Sequence, residues 1–203
     1  LAVENLEALA PGQSTESEGI AEVLNELARP DLLMLGMLLH DIGKGKGPGH
    51  VAKGTPPTKD LTARIGLPPA DGDAVTLLVA HHLTLSHMAQ RRDIDDPKTV
   101  ASLAEVVVTP ERLRMLYLLT FADMRAVGPG VMTGWMARIL WELFSRTMAQ
   151  LTGGRLERPS REKVAERVAE EMGGARGGVV AHLAMMSDRY LLTTSAQRIA
   201  AHL

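Results

Sequence analysis

The stretch DLLMLGMLLHDIGKGKGPGH, Asp31 to His50, limits the possible folds more than any other part of the chain. From Leu32 to Leu39 every residue is apolar or glycine. A helix built from them has no face to give to water and must be surrounded by other elements. It then runs directly into His40 and Asp41, followed by Gly43, Gly45, Gly47 and Gly49. A carboxylate left unpaired in such surroundings is very costly, so the fold has to bring a partner to it.

Apolar residues recur at three- and four-residue spacing through most of the chain. They predict helices over residues 2–9, 17–28, 31–43, 57–65, 71–84, 97–107, 111–126, 131–151, 160–172, 176–187 and 196–203. Asp96-Pro97 and Thr109-Pro110 each put a capping side chain ahead of a proline at the first helical position. RYLLTT, residues 189–194, is the single candidate strand, so the expected class is all-α. Two stretches, 43–57 and 86–97, read as loops; each follows a histidine-bearing helix, so both can face one site. From Thr152 the chain becomes highly charged and glycine-broken. This divides it into a helical domain over residues 1–151 and a peripheral helical extension over 152–203.

With 203 residues the chain can build one sizeable core, and a net charge of -2 gives no general attraction to nucleic acid polymers or anionic membranes. There is no cysteine, so a metal would need His, Asp or Glu ligands, and a reducing cytoplasm is the natural setting. No apolar run approaches the ~18 residues of a membrane span. The chain starts at Leu1 in mid-pattern and reads as cut from something longer.

Three apolar helices deliver polar groups at their ends. One brings His40 and Asp41; LRMLYLLTFADMRAVG brings Asp123; DAVTLLVAHHLTLSH brings His81 and His82, with His87 shortly after. A divalent metal would compensate both carboxylates, and imidazole with carboxylate is a donor set that Mn, Fe or Zn accepts. The ordinary reading of each residue is a hydrogen-bonded core histidine, or an aspartate capping a helix or pairing with Arg125. It has to hold separately on three helices. His81 points about 100° away from His82 on a helix and is left to the ordinary reading. His182 and His202, in the extension, read as solvated. HDIGKGKG lacks the spacing of a P-loop and follows no strand. Lys44 reads either as a cation aimed at a phosphate above the metal or as a solvated lysine.

His40-Asp41 in LLHDIGKG, with Asp123 in LLTFADMRA, resembles the metal site of the HD-domain phosphohydrolase superfamily, a family of all-helical divalent-metal hydrolases. HDIGKGKGPGHVAKG, HHLTLSHMAQRRDIDDP and RLRMLYLLTFADMRAVGPGVMTGWMARILWELF together resemble one branch, the HD domains of bifunctional protein-PII uridylyltransferase/uridylyl-removing enzymes, over roughly residues 1–151. SDRYLLTTSAQRIAAHL resembles the segment leading into the ligand-sensing ACT domains of that branch. The resemblance implies an HD-domain helical bundle in which His40, Asp41 and Asp123 hold a first metal. His50 and His82 would complete a second site, and Lys44 and Gln90, Arg91, Arg92 and Asp93 would lie near the phosphate or the partner protein. The family's further metal-binding histidine on the first helix has no counterpart before His40; its place would fall just upstream of Leu1.

The implied activity is metal-dependent hydrolysis of the uridylyl-tyrosine phosphodiester of a PII signalling protein, with one or two ions. Mn or Mg is expected first, with Fe or Zn as alternatives. Asp41 would be shared between the metals, and Lys44 would stabilise phosphoryl charge. A cytoplasmic enzyme, able to form a homodimer, would fit this role. Two other readings stand beside it: hydrolysis of a free nucleotide, such as a deoxynucleoside triphosphate or guanosine tetraphosphate, and a non-catalytic regulatory HD module.

Overall fold

The computed structural model describes residues 18–45, 47–128, 130–153, 161–172, 176–186 and 196–202, together with Glu4. Every regular element among them is a helix: α1 Glu18–Asn25, α2 Pro30–Leu39, α3 His50–Arg64, α4 Pro69–His81, α5 Thr84–Arg91, α6 Pro97–Val107, α7 Pro110–Val127, α8 Gly134–Leu151, α9 Arg161–Glu171, α10 Arg176–Met185 and α11 Ala196–His202. The all-α expectation holds for these residues. The predicted strand at 189–194 and, apart from Glu4, the predicted helix at 2–9 lie outside them.

The central helix is α7. Its run from Met115 to Ala122 is buried without interruption, so neighbours must cover it on all sides. Thr109 starts it by accepting from the Arg112 amide at 3.3 Å, with Pro110 at the first helical position. Asp96 caps α6 in the same way through the Lys98 amide. On one side of α7, Tyr117 stacks against Phe144 and Trp141 of α8, with ring centroids 4.6 and 5.9 Å apart. On another side lie α2 and α4. There Gly36 permits a close approach, since a Cβ at that position would sit 2.5 Å from Leu78 Cδ1 and 3.1 Å from Leu78 Cβ. This close crossing brings the C-terminal ends of α2 and α4 together, and those ends carry His40 and His82.

One hydrophobic core extends from Ile20 to Met148; a second, smaller one joins Ala165, Val168, Ala169, Val179, Leu183 and Ile199. An ion pair between Arg167 and Glu22, 2.8 Å, spans the two.

Among the boundaries that differ from the expectation, three bear on the site. The helix predicted over 31–43 ends at Leu39, and residues 40–45 form turns. The stretch 43–57, expected as a loop, becomes helical from His50, with Gly49 at φ 78° as its N-cap. Pro56 and Pro57 lie inside α3, where each removes a helical hydrogen bond and crowds the carbonyl four residues back; packing of Gly54 against Gly43 and Val79 prevails over that local preference. Finally, residues 84–91, mostly assigned to the 86–97 loop, form α5, which buries Leu85, Ser86, Met88 and Ala89.

Candidate metal centre

The carboxylate of Asp41 lies at the middle of the cluster, and its two oxygens face different groups. Oδ1 is 3.7 Å from His50 Nε2 and 3.9 Å from His82 Nε2. Oδ2 is 3.1 Å from His40 Nε2 and receives the Lys44 ammonium. His40 Nε2 is in turn 3.3 Å from Asp123 Oδ1. Four helices therefore contribute: α2 and the turn after it, the first residue of α3, the end of α4, and the C-terminal part of α7.

Backbone geometry aims the histidines. His40 Nδ1 lies 2.7 Å from the Met37 carbonyl and His82 Nδ1 lies 2.8 Å from the Val79 carbonyl, three residues back in each case. A carbonyl can only accept, so Nδ1 carries the proton in both rings, and in the neutral imidazole the Nε2 lone pair faces the cluster. This is the usual way a metal-binding histidine is held. The Thr120 hydroxyl of α7 donates to the His82 carbonyl at 3.4 Å and ties the end of α4 down. His50 is placed by a backbone crossing: a Cβ on Gly43 would lie 2.0 Å from the His50 carbonyl oxygen and 2.7 Å from the Gly54 nitrogen. Only glycine allows the turn after Asp41 to press against the start of α3.

The charges are unbalanced. Burial pushes the His82 imidazole below its ordinary pKa. His40 is subject to the same burial, yet Asp123, the Met37 carbonyl and Asp41 together raise it. Burial opposes ionisation of Asp123, but His40, His82 and Lys44 outweigh it and hold the carboxyl below its ordinary range. The hydrogen bond to Asp41 raises Lys44. The site is thus gathering positive charge around its carboxylates.

Even so, His40 Nε2 and Asp41 Oδ1 are buried with no hydrogen-bond partner. Buried polar atoms without partners are costly and uncommon. Here one is a nitrogen lone pair and the other an oxygen facing two imidazoles, which is the pattern a cation would satisfy. Ligand atoms of Asp41, His50 and His82 all lie within 4.8 Å of one another, close enough to ligate one ion. The residues fit a divalent metal, and two imidazoles with a carboxylate suit Mn, Fe or Zn better than Mg, which prefers oxygen.

The five residues singled out as ligands, His40, Asp41, His50, His82 and Asp123, are therefore brought together, and Lys44 joins them. Gln90, Arg91, Arg92 and Asp93 are exposed at and just beyond the end of α5; the described hydrogen bonds there are local, the Arg92 amide donating to the Met88 carbonyl at 3.0 Å and the amides of Asp95 and Asp96 to the Asp93 side chain and carbonyl at 2.9 and 3.4 Å. His81 stands apart, with Nδ1 3.3 Å from Thr84 Oγ1. His182 departs from its expected solvation: its Nε2 is buried and unpartnered. The side chain of His202 lies outside the described residues. Sequence reasoning missed Thr120 and the Gly43–Gly54 crossing. Gly43, two residues after Asp41 in a turn, was a usable signal; Thr120 looked like any polar residue in a core helix.

Comparison with known proteins agrees with this geometry. Residues 15–109 match the HD domain family. The chain is 48% identical over 141 residues to a bifunctional uridylyltransferase/uridylyl-removing enzyme of Gluconobacter oxydans, covering 68% of this chain and 15% of the relative. Enzymes with the same name from Phenylobacterium zucineum and Caulobacter vibrioides are 43% and 41% identical over 148 residues, 72% of this chain and 16% of each relative. The chain thus spans about 15% of the length of these curated relatives. No solved structure matches it significantly. With its helical core, its His-Asp centre and these matches, the chain belongs to the HD-domain superfamily.

Proposed function

We propose that this chain is a divalent-metal-dependent phosphodiester hydrolase that removes the uridylyl group from a tyrosine of a PII signalling protein, acting in the cytoplasm. The observation that carries the hydrolase reading is the division of the Asp41 carboxylate, with Oδ1 toward His50 and His82 and Oδ2 toward His40 and, through it, Asp123. The names of the relatives support the substrate.

When bound, a divalent ion supplies Lewis acidity toward the phosphoryl oxygens and lowers the pKa of a coordinated water. His50, His82 and Asp41 would hold one ion; His40 and Asp123, with the other Asp41 oxygen, would hold a second. His40 and His82 are fixed in ring orientation by their backbone acceptors, so the ligand set is organised before substrate arrives. Lys44 is 64% exposed in its side chain, so its ammonium stands at the mouth of the site, where, once released from Asp41, it would offset charge on a phosphate's non-bridging oxygens. Gln90, Arg91, Arg92 and Asp93 are accessible to a protein partner.

The test is UMP release from uridylylated PII with and without added Mn, for the wild type and Asp41→Ala. Metal-dependent release that the substitution abolishes is the expected result. Turnover of free nucleotides with modified PII left intact would move the reading to a nucleotide hydrolase. Bound metal without hydrolysis of either would leave a regulatory module.

A further inference from the structure

Lys44 has a second place in the cluster, apart from any contact with substrate. Its Nζ is joined to Asp41 Oδ2, the same oxygen that lies 3.1 Å from His40 Nε2. The i,i+3 placement is fixed by the turn, in which the Lys44 amide donates to the Asp41 carbonyl at 2.8 Å. On the other side of the carboxylate, Oδ1 has two imidazoles nearby and no hydrogen-bond partner. One oxygen of Asp41 is therefore already served by a cation, and the other is open.

We propose that the Lys44 ammonium is a placeholder cation: it occupies the Oδ2 side of Asp41, so that the Oδ1 side, with His50 and His82, takes the first metal ion, and a second ion enters only by displacing Lys44. This rests on the metal-site reading above and adds an order of loading to it. The physical reason is mutual repulsion. A divalent ion held by Oδ2, His40 and Asp123 would lie within a few ångströms of an ammonium bound to the same oxygen, and one of the two must leave. Lys44 can leave at modest cost, because its end of the pair is exposed and water can take up its ammonium. Asp41 and His40 cannot, being fixed at the end of a buried helix. The displaced ammonium becomes available at the site mouth only once the second position fills, which couples metal loading to the lysine's approach to an anionic substrate.

The test is a calorimetric Mn titration of the wild type, Lys44→Met, Lys44→Arg and His40→Ala, without substrate. Two classes of site are expected in the wild type. Lys44→Met should tighten the weaker class about three- to tenfold, a range set by the modest strength of an exposed ion pair, and leave the tighter class unchanged. Lys44→Arg, which keeps the charge, should leave the weaker class weak, and His40→Ala should remove that class alone. The inference is overturned if Lys44→Met leaves the weaker class unchanged or weakens it, if it acts on the tighter class instead, or if both proteins bind a single class. Absence of Mn binding in every protein would overturn the metal-site reading along with it. Lys44 is an exposed turn residue, so melting temperatures without metal should agree within about 2 °C, which separates an effect on loading from one on folding.

Discussion

The ends of α2 and α4 use one local solution for two different tasks. Each is an apolar helix that terminates in a histidine whose Nδ1 meets the carbonyl three residues back, at 2.7 Å for His40 and 2.8 Å for His82. The rings face each other edge to face, 5.3 Å apart. Yet burial depresses the pKa of His82, whereas that of His40 is raised because two carboxylates outweigh its burial. Backbone geometry alone therefore aims a nitrogen; the charges around it set how readily that nitrogen takes up a proton. Burial makes His82 resist protonation, so a proton competes little with an ion there. At His40 the neighbouring carboxylates favour the proton more, so an ion meets more competition.

The largest effect should come from the residue both histidines share. Asp41→Ala removes an oxygen from each side, and we expect both Mn binding and hydrolysis to fall by about three orders of magnitude or more, read by calorimetry and UMP release. Survival of half the binding would mean that the two sides do not depend on a common carboxylate.

Next, the two histidines should separate. His82→Ala should cost about 100-fold in affinity for the tighter ion and, because His82 is 1% exposed, about 1–3 kcal/mol of stability measured by denaturant. His40→Ala should spare the tighter ion. Equal losses from both would erase the distinction drawn between them.

The pH dependence of the metal-free protein should show opposite signs. His40 has a folded pKa above its ordinary 6.5, so its contribution to stability is fully present below 6.5 and fades as pH rises through the raised value. His82 has a folded pKa below 6.5, so its contribution is present above 6.5 and is lost as pH falls through the lowered value. Denaturant curves between about pH 5 and 8 should therefore gain a steeper rise with pH in His40→Gln and lose part of that rise in His82→Gln. The smallest effect should come from Thr120→Val. It removes the hydroxyl that holds the His82 carbonyl, at about 0.5–1.5 kcal/mol, and it should weaken the tighter ion slightly and the weaker one not at all.

Much of this site was legible because its chemistry stands at the ends of apolar runs. Leu32–Leu39 before His40, and Leu116–Ala122 before Asp123, offer almost no polar residue to face water, so a common partner for the two was a physical expectation, although Leu38 itself is exposed. Helix starts were equally readable where Asp96-Pro97 and Thr109-Pro110 announced them. His50 was harder. The surrounding GKGKGPGH and the Pro56-Pro57 pair speak locally for a loop, and only the contact of Gly54 with Gly43, a tertiary fact, makes a helix begin there. In α5 the apolar positions Leu85, Met88 and Ala89 had helical spacing, but the charged RRDIDD that follows drew the assignment toward a loop. His182 shows the reverse error: the charged character of the extension as a whole outweighed the apolar GVVAHLAMM around it, and its ring nitrogen is buried.

The central claim is that Asp41 Oδ1, His50 and His82 hold a metal ion. Anomalous diffraction from crystals saturated with Mn tests it most directly. The account predicts a peak about 2.0–2.3 Å from Asp41 Oδ1 and from Nε2 of both histidines. Saturated crystals with no anomalous peak within bonding distance of Asp41 would contradict it.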